Sequence, residues 1–367
     1  MPVFFPLNVS WRRLLALTLL ATLPSCAAPH GPTPVAVTPT PRWTLACDAR
    51  WILVPPAGRF DASALLRLPD GSLLTLNDKT PPAYAIELGD EVALVECGPE
   101  STLPALLQGL QACGIEPARV RHVLLTHIHL DHAGAAGWWA QQHGSRIYAH
   151  PVAQRHLLDP SRLMAGAHEV YGEATPSLWG AMQPVPAAQL QGLGDGEVVN
   201  LAGIELQAWD TPGHARHHLV YRLGDTAFTG DVAGMRLQHS DYLSPTTAPS
   251  QFELGPYLKS IERLQAAGLE RLGLTHFGWV QGSQKVASHL SAYAARLQEI
   301  TTALEAEAAA GLSLDELRQR HTQREKEQAM AQGLVAADWQ RVELANPASM
   351  GADGILQGWQ RRQDHAR

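Results

Sequence analysis

The chain has little cysteine, four residues in 367. Cys26, Cys47, Cys97 and Cys113 stand far apart, and none has a Cys-x-x-Cys partner. That spacing excludes a thiolate metal site and argues against a disulfide framework. Cys113 continues the apolar face Leu103, Leu106, Leu107 and Leu110, so it reads as a core residue. Basic charge is also in short supply: 28 Lys and Arg against 35 Asp and Glu give a net charge of −7. With no basic block, nucleic acid is not expected as a standing partner. No Ser-His-Asp arrangement and no phosphate loop stands out. Nor does any apolar run reach the length of a bilayer; Leu14 to Leu23, behind Arg12-Arg13, is of signal-peptide length. Hydrophobic residues at 45% and charged residues at 17% are otherwise ordinary for a globular chain, long enough for one large core and an appendage.

What the chain does have is a dense stretch, Thr126-His127-Ile128-His129-Leu130-Asp131-His132-Ala133-Gly134. It follows the apolar run Val123-Leu124-Leu125, which reads as a buried strand, and a helix is expected to begin near Asp131. His127 and His129 are two apart, so in an extended segment both rings face one side. Asp131 and His132 turn toward the same space from the first helical turn. Imidazole and carboxylate together suit a borderline divalent ion such as zinc, and four potential ligands there could hold two ions. Further candidates sit where later strands give way to loops: His214 in Thr211-Pro212-Gly213-His214, Asp231 in Thr229-Gly230-Asp231, and His276 in Leu274-Thr275-His276. His217 and His218 follow His214 closely; strand alternation points at most one of them at the metal, and His218 is expected to be buried and hydrogen-bonded.

This pattern resembles the metallo-β-lactamase superfamily over roughly residues 83 to 282. The resemblance implies an αββα sandwich of α/β class, with His127, His129 and His214 on one metal. It also implies Asp131, His132 and His276 on a second, with Asp231 bridging both. Two divalent ions are expected, Zn2+ first, with Fe or Mn as alternatives. A shared hydroxide would attack an activated carbonyl in a lactone, ester or thioester, with Asp131 as the orienting catalytic residue. Alternatives are a mononuclear iron persulfide dioxygenase and a phosphodiesterase on the same scaffold. Asp231 argues against a true β-lactamase, and His129 against flavodiiron-type oxygen reduction. Many relatives carry an acidic residue followed by Thr-Gly where this chain has Cys97-Gly98-Pro99, a departure read as harmless.

Around this core the chain divides further. Residues 1–27 read as a leader, with Leu23-Pro24-Ser25-Cys26 resembling a lipoprotein box, and 28–42 as a Pro/Thr linker. Export to the periplasm or cell envelope is expected, with membrane attachment only through a lipid on Cys26; a mis-assigned start would leave the chain cytoplasmic. Residues 43–82 read as a hairpin extending the hydrolase sheet. Residues 83–282 form the hydrolase domain, in which Ser101 or Thr102 caps a helix ending before Gly114. The segment 152–185 resembles an inserted helical segment that several relatives fold over the mouth of the site, where Tyr171 and Trp179 either line a pocket for a small-molecule substrate or pin the insertion to the body. It lacks the cluster of Lys and Arg that a phosphodiester or glutathione carboxylates would need. Residues 283–367 read as a helical appendage with a polar tail. Val286, Leu290, Tyr293, Leu297, Ile300 and Leu304 make a narrow seam there, and Ser313 with Glu316 a capping box.

Overall fold

The structure, a computed structural model, describes residues 83–366 except 238, 239 and 277, together with the strands β1 (Leu65–Arg67) and β2 (Leu73–Thr75). The segments expected to be leader and linker, with Cys26 and Cys47, lie outside the described residues. No helix among the described residues is long and apolar enough to cross a membrane.

Two sheets form the body. The first contains β3 (Tyr84–Leu88), β4 (Glu91–Val95), β5 (Val120–Leu124), β6 (Arg146–Ala149) and β7 (Leu190–Gly192) in that order. Its first pair is antiparallel and the other three are parallel. Between these strands run α1 (Leu103–Ala112), α2 (Leu130–Ala133) and α3 (Ala136–His143), then α4 (Gln154–Leu158), α5 (Ser161–Tyr171) and α6 (Thr175–Trp179). The second sheet contains β8 (Val198–Leu201), β9 (Ile204–Asp210), β10 (Leu219–Leu223), β11 (Thr226–Gly230), β12 (Arg271–Leu274) and β13 (Gly278–Gln281). Only β11 and β12 pair in parallel, because α7 (Leu254–Gln265) crosses between them. The chain ends in α8 (Ser283–Ala309), α9 (Leu314–Ala331), α10 (Ala336–Ala345) and α11 (Ala348–Ala366).

The side-chain period of two explains the layering. On β4, Ala93 and Val95 face the second sheet, joining Tyr84, Ile86 and Leu124 against Leu206, Tyr221 and Phe228. Val92 and Leu94 face the other way, against Leu106, Leu110 and Trp139 of the outer helices. Because both faces are covered, the strand reads as a continuous apolar run. The second sheet repeats the arrangement, with Leu272 and Leu274 packed under Tyr257, Ile261, Leu290, Leu297 and Ile355. Each fully buried Leu or Ile contributes about 1.5–3 kcal/mol, so these three cores dominate the cohesion. The αββα expectation is met.

Several local expectations change. The hairpin β1–β2 exists, but among the described residues it forms its own two-stranded sheet rather than extending the first. Neither predicted hydroxyl caps α1: Thr102 donates to Pro99 O and Ser101 to Leu178 O, and a 3-10 turn at Glu100–Thr102 leads into the helix instead. β7 was hidden in a stretch without strand rhythm, being only three residues long. The polar tail is two helices whose Trp339, Val342, Ala352 and Ile355 are buried. Cys113 does pack on the first outer core, half-buried, yet it is disulfide-bonded, while Cys97 is free. The seam on α8 is fully buried inside the chain, and the Ser313–Glu316 capping box forms.

Candidate metal centre

The site lies where the strands of both sheets end. β5 stops at Leu124, and the extended segment to His129 carries its rings past the strand end before α2 begins. His129 is the N-cap of α2, with φ −61° and ψ 151°, which places Asp131 and His132 in the first turn. His214 comes from the loop between β9 and β10, Asp231 from the residue after β11, and His276 from the turn between β12 and β13. Two glycines make the approach possible. Gly230 sits at φ +51°, and a Cβ there would lie 2.5 Å from Thr126 Oγ1 and 2.6 Å from His218 Nε2. Gly213 sits at φ +134°, where a Cβ would meet the Tyr257 backbone at 2.2 Å.

All seven sequence-predicted ligands come together. Three groups have donor atoms within 4.8 Å of one another: His127, His129 and His214; His127, His132 and Asp231; Asp131, His132 and His276. Asp231 spans them. Its Oδ2 is 3.4 Å from His214 Nε2, while its Oδ1 is 3.4 Å from both His132 Nε2 and His276 Nε2. Asp131 Oδ2 approaches His132 Nε2 at 3.4 Å and His276 Nε2 at 3.6 Å.

The chemistry of these donors fits divalent ions. Thr126 Oγ1 donates to Glu96 Oε1, so it accepts from His127 Nδ1–H at 3.1 Å. His214 Nδ1–H donates to Thr246 O at 2.8 Å. Both rings therefore turn an unprotonated Nε2 toward His129 Nδ1, each at 3.0 Å. One ring nitrogen has at most one hydrogen, so at least one pair of lone pairs faces the other directly; a shared cation resolves that conflict. His132 Nε2 and Asp231 Oδ1 are likewise buried without a hydrogen bond.

The electrostatics point the same way. Burial, then the neighbouring His132, holds His127 well below the usual histidine range, and burial with His214 brings His129 to about 3. Burial acts to raise Asp131, but the charge of His132 and then His276 holds it at about 2. Asp231 is also held down, since His132, His276 and His214 outweigh the effect of its burial. Burial opposes a charge on His132, yet Asp131, Asp231 and Glu96 push it well above its usual value. The centre thus offers neutral imidazoles at His127, His129 and His214 and ionised carboxylates at Asp131 and Asp231, with surplus negative charge around His132.

His218 is buried and satisfied, with Nδ1 2.8 Å from Thr211 Oγ1 and Nε2 accepting from Asp231 N at 3.1 Å. His217 is buried with Nδ1 unpartnered and belongs to none of the three groups. Tyr171 and Trp179 pack edge to face at 5.3 Å. The Tyr171 hydroxyl, raised to about 12 by burial and then by Asp131, donates to Met350 Sδ at 3.8 Å.

Sequence reasoning missed Glu96. It is fully buried at the end of β4, with φ +70°, accepting from Thr126 and lying 3.4 Å from His132 Nδ1. The acidic residue thought to be replaced at Cys97 is present one position earlier. A carboxylate closing the apolar run Val92 to Val95 was the available signal, since a buried charge there needs a partner.

Comparison with known proteins agrees with this geometry. Residues 77–276 match the family model described as the metallo-beta-lactamase superfamily. A metallo-beta-lactamase fold-containing protein of Sulfurisphaera tokodaii is 26% identical over 165 residues, covering 44% of this chain and 62% of that protein. The atrochrysone carboxyl ACP thioesterase of Aspergillus fumigatus is 28% identical over 191 residues, 51% of this chain and 48% of the thioesterase. The chain thus spans about half to three-fifths of these relatives' lengths. Among solved structures, a metallo-beta-lactamase family protein of Thermus thermophilus superposes with a TM-score of 0.58 at 21% identity, covering 82% of this chain and 93% of its own. That likeness concerns the fold.

Proposed function

Because the chain belongs to the metallo-beta-lactamase superfamily, we propose that it is a metallo-hydrolase that uses two divalent ions to cleave an activated acyl bond in a lactone, ester or thioester. The observation that supports this most is Asp231, whose two carboxylate oxygens face two separate donor groups. When bound, zinc-like ions supply Lewis acidity and make a water molecule acidic enough to attack near neutral pH.

The chain's own residues supply the rest. Asp131, held ionised at about 2, accepts a hydrogen bond and so orients the attacking water. Glu96 and Thr126 fix the rings of His132 and His127, and Thr246 fixes His214. Tyr171, Trp179 and Met350 form an apolar group close enough to the centre for Asp131 to act on the Tyr171 hydroxyl. Within it, the Tyr171 hydroxyl has only a thioether as hydrogen-bond partner among the described residues, and Trp179 Nε1 is buried without one. Both are donors able to turn to a carbonyl oxygen of the substrate. A thioesterase among the relatives is consistent with an acyl substrate.

Elemental analysis of the purified, unchelated protein beside a substrate panel tests the proposal. Turnover of lactones, aryl esters or thioesters ahead of bis-aryl phosphodiesters is expected, with zinc-like ions bound. A preference for phosphodiesters that survives high salt would overturn the acyl assignment. A single iron per chain with persulfide oxidation would replace hydrolysis altogether.

A further inference from the structure

The loop after β11 reaches the centre through Asp231 and Thr246, and the groups behind it come largely from the C-terminal helices. Asp231 O accepts two hydrogen bonds of 2.7 Å, one from Thr246 Oγ1 and one from Tyr257 Oη of α7. Those donors have then used their only hydroxyl hydrogens. Tyr293 Oη, on α8, accepts from Thr246 N at 3.1 Å and lies 3.0 Å from both Thr246 Oγ1 and Tyr257 Oη. Its own hydrogen is therefore the one left to serve either oxygen. All three side chains are buried, so no water is at hand to replace a lost partner.

The same residue fills space. Gly234, at φ +73°, lays its backbone on the Tyr293 ring, and a Cβ there would fall 2.3 Å from Cε2. One turn earlier on α8, His289 Nε2 contacts Ala233 O at 2.8 Å, and Asn346, after α10, donates to Pro245 O at 2.7 Å. Thr246 is thus held from the side facing away from the ligands. Its carbonyl is the group that fixes the Nδ1–H tautomer of His214 and turns Nε2 to the first donor group.

We propose that Tyr293 is a positioning residue for the metal centre, acting through Thr246 on His214 and Asp231. It lies outside residues 77–276, so the C-terminal helices complete a site whose ligands all come from the matched stretch. The inference rests on reading these ligands as a metal centre.

Chelator competition with Zn2+ alone, on the full chain, tests it. Tyr293→Phe keeps the ring that Gly234 packs on and removes only the hydroxyl. Loss of such an outer partner is expected to weaken zinc binding by about 10- to 100-fold and to change the visible spectrum of the Co2+-loaded protein. Thr246→Val, which keeps the carbonyl used by His214 but loses the donor to Asp231 O, should act in the same direction and serves if Tyr293→Phe fails to fold. Leu297→Ala, on the same buried face of α8, controls for loosening of the helix. Its zinc affinity should stay within about twofold of the native value, because an aliphatic side chain supplies no hydrogen bond to Thr246 or Asp231. Native affinity and an unchanged spectrum in Tyr293→Phe would overturn the proposal, as would an equal loss in Leu297→Ala. A native chain that binds no zinc would overturn the reading of the centre itself, and His214→Ala shows that the assay detects a lost ligand.

Discussion

The rim of the strands and the C-terminal helices meet at the same loop but are built from different chemistry. The rim presents His127, His129, Asp131 and His132 within six residues, groups with few other reasons to cluster. The helices contribute Tyr293, His289, Asn346 and Met350, ordinary residues spread along the C-terminal region. Donor atoms are specified by residue type, whereas bracing is specified by what the residue touches. The first can be read along the chain; the second exists only after folding.

The largest loss is expected from the helical side. Arg296 and Glu325 form a buried ion pair joining α8 to α9, and Glu325 also accepts from Tyr242 Oη at 2.8 Å. Glu325→Ala leaves buried Arg296 with only the exposed Glu299 at 2.9 Å and strips Tyr242 of its acceptor, so it should cost about 3 kcal/mol in urea unfolding of the metal-free protein, the lower end for breaking a buried pair. A loss below about 1 kcal/mol would mean that the pair is effectively solvated. From the rim side, Asp131→Ala should lower kcat by at least about 100-fold, since alignment of the attacking water is removed. Near-native turnover with full metal content would remove Asp131 from the mechanism. Glu96→Gln sharpens the contrast, because it keeps size and loses the charge facing His132. Zinc affinity should fall by about 10-fold, toward the lower end of what outer partners contribute. An unchanged affinity would make Glu96 a purely structural residue. The smallest effect is expected of Tyr171→Phe, which removes one neutral donor. A loss of kcat/KM equivalent to about 1 kcal/mol, near fivefold, with unchanged metal content would place the hydroxyl on the substrate.

Much of the fold was legible because the strands are covered on both faces and so appear as apolar runs, as at Val92–Val95 and Val123–Leu125. The centre was legible because its ligands sit at strand ends in short, polar stretches. Glu96 was passed over because it lies inside an apolar run, one residue from where a family pattern directed attention. β7 was missed because three residues cannot establish a period, and its strand identity comes from pairing with β6. The last two helices fell inside the expected helical region but passed as a polar tail, because α10 and α11 bury narrow faces, Trp339 and Val342 or Ala352 and Ile355, within otherwise polar sequence. Tyr293 was seen as one apolar position in a seam. Its ring does pack there, but its hydroxyl reaches Thr246, and periodicity carries no information about a polar tip.

The proposed two-ion centre rests on Asp231 joining two donor groups, and metal stoichiometry tests it most directly. Under saturating zinc, the intact chain is expected to bind two ions, and His214→Ala or His276→Ala about one each, from opposite sides of the bridge. An intact chain that never binds more than one ion would contradict it.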